Sequence, residues 1–276
     1  MPDFQDSTMN EEYLDVIKSY RPMDDTFMRN IFRNSPEITE SVLRILMDKP
    51  DLEVISSETQ VDMKRITGSR GLCLDVVATD SSGKKYDIEV QKESDGAGPH
   101  RGRYHSSAMD VENSYKGMDF DELPDIYVIF ITEHDYYGRG KAIYRVRRTV
   151  EDDNSLYGDG SNILYVNGQY RDDTDIGKLM HDFCCSDPDD MLIPMLAERT
   201  RYLKTDEKEV KHMCEQMERI RNEGEAKGIV KGVSIGEYNK AKDMAINLNN
   251  MGVDIEVIAK SANVSVDQVK EWLAKK

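Results

Sequence analysis

Asp75, Glu89 and Gln91 are the side chains in this chain whose types and spacing best suit chemistry. Leu72, Leu74, Val76 and Ala78 alternate with Cys73, Asp75, Val77 and Thr79, the period of two of a half-buried strand. Tyr86, Ile88 and Val90 alternate in the same way with Asp87, Glu89 and Gln91. Taking Ser81-Ser82-Gly83 as a three-residue hairpin loop, with Gly83 left-handed, pairs Asp80 with Lys84 and sets Asp75 opposite Glu89. Opposed residues share a face with Cβ atoms about 5 Å apart, and Gln91 joins them two residues on. A two-residue loop would send Glu89 to the other face, so the turn decides the chemistry. Like charges that close need a cation, a shared proton or good solvation. Two carboxylates converging on one point suit a hard divalent cation such as Mg²⁺. The competing reading is a solvated hairpin face whose acids keep a sheet edge soluble.

The neighbouring segments must position that hairpin. Phe27, Met28, Ile31 and Phe32 form a helical stripe behind Asp24 and Asp25, either of which can cap the helix or add a further carboxylate. A second stripe runs from Ile38 to Met47. Leu52–Ile55 reads as a short strand and Glu58–Ile66 as a linker or strand. After the hairpin, residues 93–102 form a glycine-rich loop and Arg103–Tyr115 a helix. Its basic and aromatic start offers Arg101, Arg103 and Tyr104 as substrate-binding candidates. The alternative for the arginines is surface charge offsetting nearby acids. Asp125–Thr132 is a nearly unbroken apolar run, as expected of a strand buried on both faces. Lys141–Val150, with Arg145, Arg147 and Arg148, is either a backbone-binding groove or a charged edge strand. Asn162–Val166 gives another strand, and Ile176–Phe183 and Met191–Thr205 two helices that close the domain.

The composition limits the function classes. In 276 residues, 33% are charged and the net charge is −16. That argues against a protein that coats nucleic acid, although an active site needs only local basicity. No run approaches a membrane span in length and no signal peptide is evident, so a cytoplasmic location is expected. Cys73, Cys184, Cys185 and Cys214 show no CxxC spacing and read as reduced thiols with no zinc site.

The expected organisation is a loosely held segment over 1–20, a main domain over 21–205, a charged helical connector over 206–237 and a small helix-turn-helix-like module over 238–276. Glycines at 224, 228, 232 and 236 argue against a very stable connector helix. Asp267 and Glu271 balance the lysines of the last helix, which favours docking or homo-oligomerisation over DNA reading.

Residues 21–32 (RPMDDTFMRNIF), 74–91 (LDVVATDSSGKKYDIEVQ), 100–110 (HRGRYHSSAMD), 122–135 (ELPDIYVIFITEHD) and 177–183 (GKLMHDF) together resemble the PD-(D/E)XK nuclease superfamily. They are most similar to its bacterial recombination-promoting nuclease/transposase (Rpn) branch. The resemblance spans about residues 21–205, and its specific part is Glu-x-Gln after an Asp-bearing strand. It implies an α/β (α+β) core, a central mixed sheet flanked by helices, with a C-terminal helical tail. It implies Asp75, Glu89 and Gln91 as catalytic residues, and Mg²⁺ or Mn²⁺ bound by Asp75, Glu89 and the Val90 carbonyl. DNA is the implied substrate. Gln91 stands where the superfamily usually has Lys; it can orient water but carries no charge, and Lys92 lies on the other strand face. The expected function is a metal-dependent DNA endonuclease. The alternative is a weak or inactive nuclease-fold protein that binds DNA or a partner.

Overall fold

The central hairpin is fixed by a turn that Asp80 organises. The Asp80 N–H donates to the Lys84 carbonyl at 3.1 Å, and the Gly83 N–H donates back to the Asp80 carbonyl at 2.9 Å. Three residues are enclosed, and Gly83 takes φ +84°, a left-handed conformation that glycine adopts at little cost. Asp80 Oδ1 accepts from the Ser82 backbone, the Ser82 hydroxyl and the Lys84 backbone, and Oδ2 accepts from the Tyr86 hydroxyl at 2.7 Å. Burial opposes ionisation of this carboxyl, but the donors outweigh it and hold it below the usual carboxylate range. The register runs from Thr79 with Lys85 to Val76 with Ile88. That is the phase in which Asp75 faces Glu89, as the odd-length loop predicts.

The structure, a computed structural model, describes residues 5–63, 71–92 and 94–274. Strands β1 (Val54–Asp62), β2 (Cys73–Asp80), β3 (Lys85–Gln91), β4 (Ile126–Thr132), β5 (Ile143–Val146) and β6 (Ser161–Asn167) form one sheet in the order β1-β2-β3-β4-β6-β5. β3–β4 and β4–β6 are parallel, and the other pairs are antiparallel. The mixed sheet flanked by helices is the expected α/β architecture. β4 is buried along its whole length, as its apolar run requires. Each fully buried large apolar side chain there contributes about 1.5–3 kcal/mol. The two elements expected between residues 52 and 66 are one strand, β1; residues 64–66 lie outside the described residues. The basic segment contributes only the short edge strand β5, with Arg145 exposed and Arg148 paired with Asp159. This is the arrangement of a charged sheet edge.

Helices α1 (Gln5–Ser19), α2 (Asp25–Phe32), α3 (Pro36–Met47), α4 (Pro99–Asn113), α5 (Asp175–Phe183) and α6 (Pro194–Thr205) complete the first compact unit, residues 1–213. The stretch expected to be loosely held forms α1, which buries Ile17 completely; residues 1–4 lie outside the described residues. α2 packs against β1, β2 and β3. Arg199 of α6 closes its end, donating to the carbonyls of Ile31 (3.1 Å), Asn30 (2.8 Å) and Arg33 (2.7 Å). These carbonyls fall at the helix C-terminus, where the helix supplies no partners of its own. α4 crosses from β3 to β4 and comes close to the sheet at Gly102. A Cβ there would stand 2.9 Å from Ile163 Cδ1 and 3.3 Å from Phe130 Cε2.

Residues 214–276 form the second unit. Helix α7 (Glu207–Asn250) starts in the first unit and continues into the second. It spans the helical connector expected over 206–237 and continues past it, through all four glycines that argue against a very stable helix there. Each interior Gly costs roughly 1 kcal/mol against Ala. Cooperative propagation and Glu–Lys and Arg–Glu pairs one turn apart, such as Glu223 with Lys227 and Arg221 with Glu225, work against that cost. Helices α8 (Ile255–Ala262) and α9 (Val266–Ala274) follow, joined through Asn263 at φ +56°. Their small core is Ala245, Ile258, Ala259, Val269 and Trp272, and the Trp272 indole donates to the Tyr238 hydroxyl at 2.7 Å. Residues 275–276 lie outside the described residues.

Candidate functional site

The hairpin register brings the carboxylates together. The Asp75 N–H donates to Glu89 Oε1 at 3.0 Å, so the Glu89 side chain lies across the strand pair against Asp75. Strand alternation places Asp87 and Gln91 on the same face as Glu89. Val90, between Glu89 and Gln91, sends its side chain to the opposite face, where it is buried. The amide Nε2 of Gln91 lies 3.5 Å from Glu89 Oε2, and its Oε1 fills the space where a Cβ on Gly96 would stand. Asp75, Asp87 and Glu89 are all buried.

Helix α4 closes this face. Because Gly102 lets it lie against Phe130 and Ile163, the side chains one position before and three after it reach β3. Arg101 Nη2 donates to Glu89 Oε2 at 2.9 Å and its Nε donates to His105 Nε2 at 3.1 Å. His105 Nδ1 lies 2.8 Å from Asp87 Oδ2. The tautomer follows from these contacts. A guanidinium only donates, so Nε2 is the bare acceptor nitrogen and Nδ1 carries the hydrogen that points at Asp87. His105 is completely buried and its ring packs 5.8 Å from that of Phe130. On the other side, Arg29 of α2 donates to Asp75 Oδ1 at 3.2 Å and pairs with Asp25 at 2.8 Å.

The electrostatics of the cluster push its acids toward the neutral form. Burial raises the Glu89 carboxyl to about 8, the neighbouring Asp87 and Asp75 charges add to this, and His105 opposes it. The Arg101 guanidinium on Oε2 also favours the ionised form. Burial, then the Asp75 charge, lifts Asp87 well above the usual carboxylate range. Asp75 is raised by burial and by Asp25, against the pull of Arg29. Burial lowers His105, against the pull of Glu89. Three carboxylates thus face two guanidiniums, and Asp87 Oδ1 is buried without a hydrogen-bond partner. Acid in excess of base and an orphaned carboxylate oxygen suit an added cation. Ligand atoms of Asp87, Glu89 and His105 lie within 4.8 Å of one another, the one such trio found among the described residues.

Of the sequence-derived candidates, the fold brings together Asp75, Glu89, Gln91 and Arg101. Arg103 and Tyr104 occupy exposed positions on α4. Asp24 precedes α2 but makes no cap bond. Its carboxylate accepts from the Arg21 N–H at 2.7 Å and pairs with Lys92. Burial resists its ionisation, yet Lys92 and Arg21 together hold it below the usual range. Lys92 is therefore committed on the far face. Asp87, His105 and Arg29 were not anticipated as site residues. Asp87 was signalled by its alternation with Glu89, and His105 by lying one helical turn beyond Arg101.

A family model described as PD-(D/E)XK nuclease family transposase matches residues 33–227. No curated protein and no solved structure matches the chain. Among the described residues no helix is long and apolar enough to cross a membrane.

Proposed function

This chain belongs to the PD-(D/E)XK nuclease family transposases, and from that premise we propose that it is a metal-dependent DNA endonuclease acting at the Asp75/Glu89/Gln91 face. The observation that carries this reading is the register-enforced convergence of Asp75 on Glu89, with the 3.0 Å bond between them. A Mg²⁺ or Mn²⁺ ion held by Asp75, Glu89 and the Val90 carbonyl would supply an activated water and offset charge on the phosphodiester. The Gln91 amide would orient such a water or a phosphate oxygen by hydrogen bonding. Arg101 is the nearest guanidinium to the reacting face, and Arg103 and Tyr104 stand outside it for the flanking DNA backbone. Cytoplasmic DNA is the expected substrate.

Supercoiled plasmid incubated with Mg²⁺ or Mn²⁺ should be nicked or linearised by the wild type and left intact by Asp75→Asn. Equal cutting by the two proteins would remove Asp75 from the site.

A second reading, a nuclease fold that binds DNA or a partner without cutting, draws on Arg101 and Arg29. Each carboxylate that would hold the ion already has a guanidinium within 3.2 Å. Binding of labelled duplex with no cleavage under any divalent cation would favour it.

Self-association through the C-terminal helices is part of the same proposal. Ile229, Val230, Val233 and Ile235 are exposed on α7 beside its glycines. Light scattering should give a mass above the 31.6 kDa of one chain. A mass equal to one chain at micromolar concentration would remove the idea.

A further inference from the structure

We propose that Asp87, Glu89 and His105 form a transition-metal subsite beside the all-oxygen Asp75/Glu89 pair, and that Arg101 closes it when no ion is bound. The inference goes beyond the nuclease reading and does not depend on DNA being cut.

The trio has three properties that the Asp75/Glu89 pair lacks. It contains an imidazole nitrogen, which suits Co²⁺ or Zn²⁺ better than Mg²⁺. It is completely buried, whereas Mg²⁺ usually keeps several waters. It also holds Asp87 Oδ1, a buried acceptor that no N–H or hydroxyl reaches, so that only an ion or a proton shared with Glu89 can satisfy it. The spacings are those of ligands around one ion: His105 Nδ1 lies 2.8 Å from Asp87 Oδ2 and 3.9 Å from Glu89 Oε1. Metal–ligand bonds of about 2.0–2.2 Å put neighbouring donors roughly 3 Å apart or somewhat more.

The hydrogen-bond pattern ties such an ion to Arg101. In the structure Nδ1 carries the ring hydrogen and Nε2 accepts from Arg101 Nε. An ion bound at Nδ1 takes the place of that hydrogen. The ring stays neutral because its single hydrogen moves from Nδ1 to Nε2, with no net proton released by the imidazole. Nε2–H can no longer accept, so Arg101 loses that partner, the ion's charge competes for Glu89 Oε2, and only the long 3.5 Å contact to Gln91 Oε1 is left untouched. Arg101 has somewhere to go, since its side chain is 40% exposed. Filling the subsite therefore frees a guanidinium at the edge of the face where a phosphate would lie.

The test uses the full chain stripped with chelator. Co²⁺ is titrated in and followed by its visible absorption, and Mg²⁺ binding is followed in parallel by calorimetry. Wild type should bind Co²⁺ with bands showing nitrogen ligation. His105→Gln should weaken Co²⁺ by at least tenfold and leave Mg²⁺ unchanged. Asp75→Asn should do the reverse. Arg101→Gln, which removes the competing cation, should tighten Co²⁺. Wild-type Co²⁺ affinity and spectrum in His105→Gln would overturn the subsite. So would equal losses in His105→Gln and Asp75→Asn, which would assign a single shared centre. Unchanged or weaker Co²⁺ binding in Arg101→Gln would overturn the closing role. Loss of plasmid cleavage in the wild type would count against the nuclease reading alone and leave these metal readouts standing.

Discussion

Glu89→Gln is expected to abolish metal-dependent plasmid cleavage while the protein stays folded at pH 6.5. The substitution keeps shape and removes the charge. Glu89 faces three donors, the Asp75 N–H on Oε1 and, on Oε2, Arg101 and the more distant Gln91 amide. Below its raised titration point of about 8 the wild-type side chain is already largely the neutral acid, which Gln resembles. The melting temperature at pH 6.5 should therefore stay within a few degrees of wild type, the scale of about 1 kcal/mol in a domain of this size. Chemistry is affected differently. A metal centre lowers a phosphoryl-transfer barrier by several kcal/mol, and at about 1.4 kcal/mol per decade its loss is on the order of a thousandfold. Cleavage above roughly a tenth of wild type in a folded Glu89→Gln protein would remove Glu89 as a ligand. Asp75→Asn prepared in parallel identifies any contaminating nuclease.

The legible part of this site is local. Alternation through Leu72–Gln91 gave the two strands, and one glycine three residues past Asp80 set the loop length. Those two features are enough to face Asp75 with Glu89, because strand register admits only odd or even answers. The apolar run of β4 was legible for a similar reason: a strand with helices on both sides has no polar face to hide.

The rest depends on how distant elements pack. His105 reaches Asp87, and Arg101 reaches Glu89, only because α4 approaches the sheet at Gly102, and nothing in HRGRYH states which side of the helix faces inward. Arg29 meets Asp75 across 46 residues of sequence. Asp24 looked like a cap, but Lys92 and the Arg21 N–H claim its carboxylate. The continuous α7 shows the limit of propensity. Four glycines argue against a very stable helix, whereas helix length and cooperativity, which no single residue encodes, carry the helix through them.

Stability of the metal-free protein is expected to fall as pH rises from 6.5 to 8, opposite to the behaviour of an ordinary salt-bridged carboxylate. Glu89 titrates near 8 in the fold, against about 4.3 when unfolded. A folded-state value raised above the unfolded one gives stability that is full below the unfolded value and lost as pH climbs through the folded one. Asp87 and Asp75 are shifted in the same direction. The window isolates these acids. His105, lowered by burial, acts in the opposite sense but below about 6.5. Lys204, which burial lowers to about 8, also acts in the opposite sense, above that pH. Asp24 and Asp80, held low by their partners, titrate in acid. One proton's difference over this range amounts to about 2 kcal/mol at 1.36 kcal/mol per pH unit. Urea unfolding at pH 6.5, 7.2 and 8 in chelator should show the decline. Glu89→Gln should flatten it, and added Mn²⁺ should restore stability most at pH 8, where the ion meets the least competition from protons. If the wild-type curve is level and Glu89→Gln matches it, the Arg101 guanidinium holds Glu89 ionised throughout, and the face is a closed ion pair.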